Sequence, residues 1–144
     1  KNLVTESKMI LRNNSEEKKI RIINQVPDDY VCYADRFMHQ SILNNLLTNA
    51  IKFSHNNSEI IISAEAQDTF ITLKVQDFGM GIKPENIQKL FKIDQHLTTL
   101  GTNNEKGTGI GLMLCKSFAK LMNARILASS NLTKGACFTV SFNA

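Results

Sequence analysis

The spacing of apolar positions changes several times along the chain, and each change marks a change of element. Leu3, Val4, Ile10 and Leu11 recur at helical spacing, which predicts a helix reaching about residue 17. Ile20, Ile22 and Val26 then suggest a strand, and a second short strand is expected over 30–34. Asp35 is placed to cap a long helix ending near Phe53, since its carboxylate can accept from N–H groups the first turn leaves unpaired. Ile60, Ile62 and Ala64, then Ile71, Leu73 and Val75, alternate on either side of a turn at 67–69 and predict a hairpin.

Pro84 opens a short helix through Leu90. Residues 91–106 are a polar connector longer than a purely structural loop requires, and a lid is expected over about 91–107. A helix should follow to about Met122, and Ala136, Phe138, Val140 and Phe142 alternate in a final strand. Strands that arrive in adjacent pairs, rather than strictly alternating with helices, argue against a doubly wound parallel sheet. The expected fold is therefore a two-layer α/β sandwich, a mixed sheet of about five strands covered on one face by three main helices.

The length of 144 residues fits one domain, 1–144, without repeats or low-complexity tracts. Cys32, Cys115 and Cys137 are widely spaced, which argues for reduced, packed thiols rather than a zinc site or disulfide framework. The net charge of +4 comes from 13 lysines and four arginines scattered along the chain, so no nucleic-acid partner is expected. The sequence begins at Lys1 and contains no signal peptide or long apolar run. It reads as a cytoplasmic piece of a longer protein, without membrane contact of its own, whatever anchoring the parent has.

Three polar features stand out against this frame. In NLLTNAIKF at 45–53, Asn45, Asn49 and Lys52 share one helical face while Leu43, Leu46, Leu47 and Ala50 share another. Asparagine is a poor helix former, so its presence on an exposed stripe points to function, and its carbonyl is a hard oxygen suited to Mg²⁺. Asn49 is the candidate metal ligand, and Lys52, one turn on, suits phosphate oxygens. Asp77 ends a strand and leads into Gly79 and Gly81 in DFGMGI, where a backbone can approach a flat ligand closely and the carboxylate can accept from an adenine amine. Gly107, Gly109 and Gly111 in GTGIGL precede a helix and offer bare amides to phosphates. Their GxGxG spacing lacks the third glycine of a dinucleotide fingerprint and the Lys-Ser/Thr of a P-loop.

Taken in this order, the elements resemble the catalytic ATP-binding domain of sensor histidine kinases, in the GHKL superfamily of Bergerat-fold ATPases. NLLTNAIKF looks like the N box, DFGMGI the G1 box, LFKID at 90–94 the F box and GTGIGL the G2 box. The resemblance implies a Mg²⁺–phosphate site at Asn45 and Asn49, a phosphate contact at Lys52, and Phe53 near the base. It further implies nucleotide contacts from Asp77, Gly79, Gly81, Ile82 and Phe91, and from Gly107, Thr108, Gly109, Ile110, Gly111 and Leu112. Lys92 stands where many members carry an arginine, which implies a role in steering the γ-phosphate. Asn123-Ala124 replaces the two glycines usual after the last helix, at a helix end where asparagine can also turn left-handed.

Related hydrolases and serine kinases place a glutamate general base four residues before the metal-binding asparagine, where this chain has Asn45. That favours transfer to a nucleophilic imidazole over water activation. None of His39, His55 and His96 lies in a phosphoacceptor context: His39 reads as a packing or surface residue, and His55 and His96 as loop residues. The implied partners are a dimerisation and phosphoacceptor domain upstream in the same protein and a response regulator receiver domain. The full protein is expected to be a homodimer and the isolated domain a monomer. The alternatives are a degenerate nucleotide-binding or adaptor module and, more remotely, a GHKL ATP hydrolase.

Overall fold

A mixed sheet holds β1 (Arg21–Gln25), β2 (Glu59–Gln67), β3 (Phe70–Asp77), β4 (Arg125–Asn131) and β5 (Gly135–Asn143) in the spatial order β1-β2-β3-β5-β4. The computed structural model describes residues 2–92, 94, 98–132 and 134–143. β1 and β2 are parallel because α3 (Arg36–Phe53) crosses between them, whereas β2–β3 and β4–β5 pair antiparallel, as short connections require. β3 and β5 close the centre of the sheet, also antiparallel.

The sheet buries one face. Along β3, Ile71, Leu73, Val75 and Asp77 are buried, while Thr72, Lys74 and Gln76 between them are half-buried on the other side. Asp77 thus inherits the core-facing register of the apolar residues before it. α3 lies across this face and buries Ile42, Leu43, Leu46, Leu47, Ala50 and Ile51, the positions that recur every three to four residues. α1 (Asn2–Ile10) and α5 (Gly111–Leu121) both pack against α3, while α2 (Arg12–Glu17) reaches β1 and the single turn α4 (Pro84–Ile87) reaches β4. Ile60, Ile62, Val75, Val140 and Phe142 from the sheet meet the α3 residues with almost no exposure. Each such side chain contributes about 1.5–3 kcal/mol of transfer free energy.

The two-layer α/β architecture matches the expectation, but two strands do not. Residues 30–34 form no strand. Cys32 and Ala34 pack against the core while Val31 and Tyr33 face solvent, so the alternation is real, yet the nearby Ala66 amide donates to the Tyr30 hydroxyl rather than to a ladder carbonyl. The fifth strand is instead β4, whose inward positions Ile126, Ala128 and Ser130 are only half-buried at the sheet edge and give a weak apolar signal. The first helix breaks at Leu11 into α1 and α2, although the Leu11 and Ser15 amides still bond to Ser7 and Leu11 carbonyls. α4 is shorter than expected, and turns continue from it to Phe91. Asn123 takes φ 51°, so asparagine does fill the left-handed position after α5.

Candidate functional site

Asp77 sits at the end of β3 as a buried carboxylate. Burying such a charge is costly without hydrogen bonds. Its Oδ1 accepts from the amides of Gly79 (2.9 Å) and Ala136 (3.2 Å), while no described residue donates to Oδ2. Burial pushes its pKa up, and the two amides only partly oppose this. The following loop lies tight against the last turn of α3. The Met80 amide donates to the Phe53 carbonyl (3.1 Å), and a Cβ on Gly79 would sit 2.0 Å from that oxygen, so only glycine fits. Gly81 has φ +69°, in the left-handed region. The result is a rigid, backbone-lined recess with one negative oxygen to spare.

The N-terminal half of α3 is fixed by Asp35, whose side chain accepts from the Met38 amide (2.8 Å) as the sequence predicts. On the half-buried face of the helix, the neighbouring asparagines separate by role. Asn44 is structural: its Oδ1 accepts from the Ser7 hydroxyl (2.6 Å) and from Gln40 (3.2 Å), joining α3 to α1. Asn45 donates Nδ2 to the Ser41 carbonyl (2.9 Å), which leaves Oδ1 turned toward the start of α5, 2.8 Å from where a Gly111 Cβ would be. Asn49 is half-buried, and its side-chain amide hydrogen-bonds to no described residue. Lys52 Nζ lies 4.8 Å above the Phe53 ring and 2.6 Å from the position of a Gly107 Cβ. Its pKa is lowered by partial burial, against the pull of Glu105. The α3 stripe and the glycine run before α5 therefore lie side by side, and α5 begins without a side-chain cap on its first amides.

The remaining predicted residues are distributed less uniformly. Ile82 packs at the edge of the core, its amide donating to Ser130 Oγ (2.7 Å), and Leu112 also borders the core. Phe91 meets Phe138 edge-on at 6.5 Å, so its ring is a packing element. Thr108 and Ile110 are exposed and Gly109 is half-buried. Lys92 is exposed and hydrogen-bonds through its backbone amide to Lys89, away from the contacts just described. Ile93 of LFKID and His96 lie outside the described residues. His39 packs against Phe142 (ring centroids 4.3 Å apart) and near Cys32 Sγ (3.8 Å), and desolvation pushes its pKa down to about 4, so it is a neutral packing residue at neutral pH. His55 is an exposed loop residue.

Sequence reasoning missed the β4–β5 turn. A Cβ on Gly135 would lie 2.2 Å from the Asp77 carbonyl, the next amide binds the Asp77 carboxylate, and Ser130 Oγ donates to the Gly135 carbonyl (2.9 Å). Gln76 Nε2 ties the Asp77 carbonyl to that of Ala136. The contacts of Ala136 with Asp77 and Gln76 join residues 59 and 60 positions apart, and the local signal is a glycine opening the last strand.

A family profile described as "Histidine kinase-, DNA gyrase B-, and HSP90-like ATPase" matches residues 34–144. The chain is 28% identical over 131 residues to the signal transduction histidine-protein kinase BaeS of Escherichia coli (strain K12), covering 90% of this chain and 28% of that protein. It is 33% identical over 101 residues to the sensor histidine kinase RcsC of the same strain, covering 70% of this chain and 10% of that protein. The chain thus spans less than a third of either relative. Among solved structures, the nucleotide-free catalytic domain of histidine kinase ThkA superposes with a TM-score of 0.83 at 23% identity, over 99% of this chain and 90% of that one. Full-length ShkA in complex with AMPPNP superposes with a TM-score of 0.81 at 24% identity, over 99% of this chain and 30% of that one. These superpositions show a shared fold, and the profile spans the N-box helix, both glycine loops and the whole of β2 to β5. The chain belongs to the histidine kinase-, DNA gyrase B- and HSP90-like ATPase family.

Proposed function

We propose that residues 1–144 are a single domain of a longer sensor histidine kinase, which binds Mg·ATP and presents its γ-phosphate to a histidine of a separate dimerisation and phosphoacceptor domain. The observation that carries this is the buried Asp77, with one oxygen held by two amides and the other left to meet an exocyclic amine. The adenine would lie against the Asp77–Ile82 loop, with Phe53 beside it, and the phosphates along Lys52 and the amides of 107–112. Among the described residues no group of three His, Cys, Asp or Glu side chains could hold a metal, so a divalent ion here would share phosphate oxygens as ligands. Asn49, an amide without a described partner, is the protein ligand that fits. When bound, Mg²⁺ would neutralise charge on the phosphates.

Asn45 distinguishes the chemistry. Its amide is fixed by Ser41 and faces the start of α5, and an amide cannot take a proton from water. A neutral imidazole needs no such base: its nitrogen forms the N–P bond as the P–O bond to the leaving ADP breaks. This chain's residues position the nucleotide and offset its charge. Ile110 and Leu114, both exposed at the start of α5, offer apolar surface where the phosphoacceptor domain would approach. Relay to a response regulator receiver domain, and homodimerisation of the full protein around a monomeric catalytic domain, complete the proposal. No helix of the described residues is long and apolar enough to cross a membrane.

The test is to incubate the full-length protein with γ-labelled ATP. Acid-labile, base-stable label is expected on the protein, with little phosphate released by residues 1–144 alone. Steady phosphate release from the fragment would identify a hydrolase instead. Nucleotide binding without any labelling of the parent would identify a degenerate module.

A further inference from the structure

Lys18, the residue that ends α2, is buried to 3% exposure, unusual for a lysine. A buried ammonium must be surrounded by acceptors, and Nζ donates to the carbonyls of Ile51 (2.9 Å), Lys52 (2.8 Å) and Ser54 (3.2 Å), all at the C-terminal end of α3. Those carbonyls have no partner within the helix, and the dipole there favours a cation. The same Nζ donates to Thr102 Oγ1 (2.8 Å) and pairs with Glu105 Oε1 (2.5 Å).

Thr102 and Glu105 belong to the connector before the second glycine loop, and Lys18 is one of several ties that hold this stretch down. The Thr102 amide donates to the Lys52 carbonyl (3.1 Å) and its hydroxyl to the Ser54 carbonyl (2.6 Å). The Gly101 amide donates to the Glu105 carbonyl (3.0 Å) and the Asn103 amide to Glu105 Oε2 (2.8 Å). Gly101 is buried against Lys52, where a Cβ would come within 2.7 Å of that side chain. The last turn of α3 thus carries Lys52, accepts the Met80 amide at the Phe53 carbonyl and receives 101–105, and Lys18 binds its Ile51, Lys52 and Ser54 carbonyls together with Thr102 and Glu105.

We propose that Lys18 is a positioning residue of the nucleotide site: its ammonium fastens residues 101–105 to the C-terminal turn of α3 and so sets Lys52 against Gly107. The effect on nucleotide rests on reading this groove as an ATP site. The fastening itself does not, and each has its own readout. Residues 101–105 are then a fixed root within the connector that the sequence presents as one lid.

Glu105→Gln, Thr102→Val and Lys18→Met would be compared with the wild-type chain by hydrogen exchange without nucleotide and by calorimetry with ATP and adenosine, at a temperature where each is folded. Exchange at the amides of 101–103 is expected to quicken by about tenfold in Glu105→Gln and Thr102→Val and further in Lys18→Met. ATP affinity should fall about fivefold or more while adenosine affinity holds, because only the phosphate end moves. Unchanged exchange in the variants overturns the fastening. Faster exchange with unchanged ATP affinity overturns the positioning role, and so does an equal loss of ATP and adenosine. Should Lys18→Met fail to fold, the other two variants decide by the same criteria. A wild-type chain that binds no ATP would refute the functional reading, and the positioning role with it, while exchange still judges the fastening.

Discussion

Asp77 is held by the amides of Gly79 and Ala136, in a loop pressed onto the Phe53 carbonyl on one side and the Gly135 turn on the other. Lys52, at the opposite end of the proposed groove, hydrogen-bonds to no described residue through Nζ, which lies over the Phe53 ring, beside Gly107 and within the pull of Glu105. The adenine end is backbone against backbone, the phosphate end long side chains against bare amides. Rigid framing suits a base, which must be told from another base by one polar group. A loose charge suits a phosphate tail, whose geometry changes when the γ-phosphate leaves.

Asp77→Asn breaks the rigid end most directly. Asparagine can still accept from Gly79 and Ala136, so the thermal midpoint should hold. The lost charge-assisted hydrogen bond should weaken ATP binding by roughly 10- to 150-fold, from about 1.5–3 kcal/mol. A calorimetric titration reads it, and normal affinity in the variant would remove the adenine assignment.

Matched glycine substitutions sharpen the contrast. Gly79→Ala drives a methyl into the Phe53 carbonyl 2.0 Å away and should destabilise the chain by about 1–3 kcal/mol in urea unfolding. Gly107→Ala meets only the mobile end of Lys52, 2.6 Å away, and should leave stability within about 0.5 kcal/mol. Equal effects would mean that the two ends are equally rigid.

Lys52→Met should cost about tenfold in ATP affinity, with less dependence on salt than the wild type and little change in adenosine affinity, since a partly exposed point charge is screened. A parallel loss for adenosine would place Lys52 at the base instead.

The smallest effect is in pH. Asp77 must be ionised to accept from adenine, and burial raises its pKa, so affinity should begin to fall on acidification at a higher pH than for an ordinary aspartate. Lys52 must be protonated to meet phosphate, and desolvation lowers its pKa, so affinity should fall on alkalinisation sooner than for an ordinary lysine. ATP affinity should therefore peak between the two, with Asp77→Asn flattening the acid limb and Lys52→Met the alkaline one. A profile unchanged by either variant would contradict both assignments.

Much of this contrast was legible in the sequence. The alternation Ile71, Leu73, Val75 carries on to Asp77 and turns it inward, and the helical period puts Asn45, Asn49 and Lys52 on one face. Period describes what is local, and the gaps arise where the cause is distant. Gly79 reads as a turn residue, but the reason for it is a carbonyl on another element. Lys18 looks like any exposed lysine of a charged run, because its hydrogen-bonded carbonyls begin 33 residues away and Thr102 lies 84 residues away, with Glu105 beyond it. β4 escaped because an edge strand with half-buried inward positions needs few apolar residues, and 30–34 misled because a segment lying on the core alternates without pairing.

The most direct test titrates residues 1–144 with ATP and with GTP, each with and without Mg²⁺. ATP is expected to bind with an affinity that responds to Mg²⁺, and GTP to bind more weakly by up to about 10⁴, because guanine sets a carbonyl against the Asp77 carboxylate. Equal affinity for the two nucleotides, or no binding of either, would contradict this expectation.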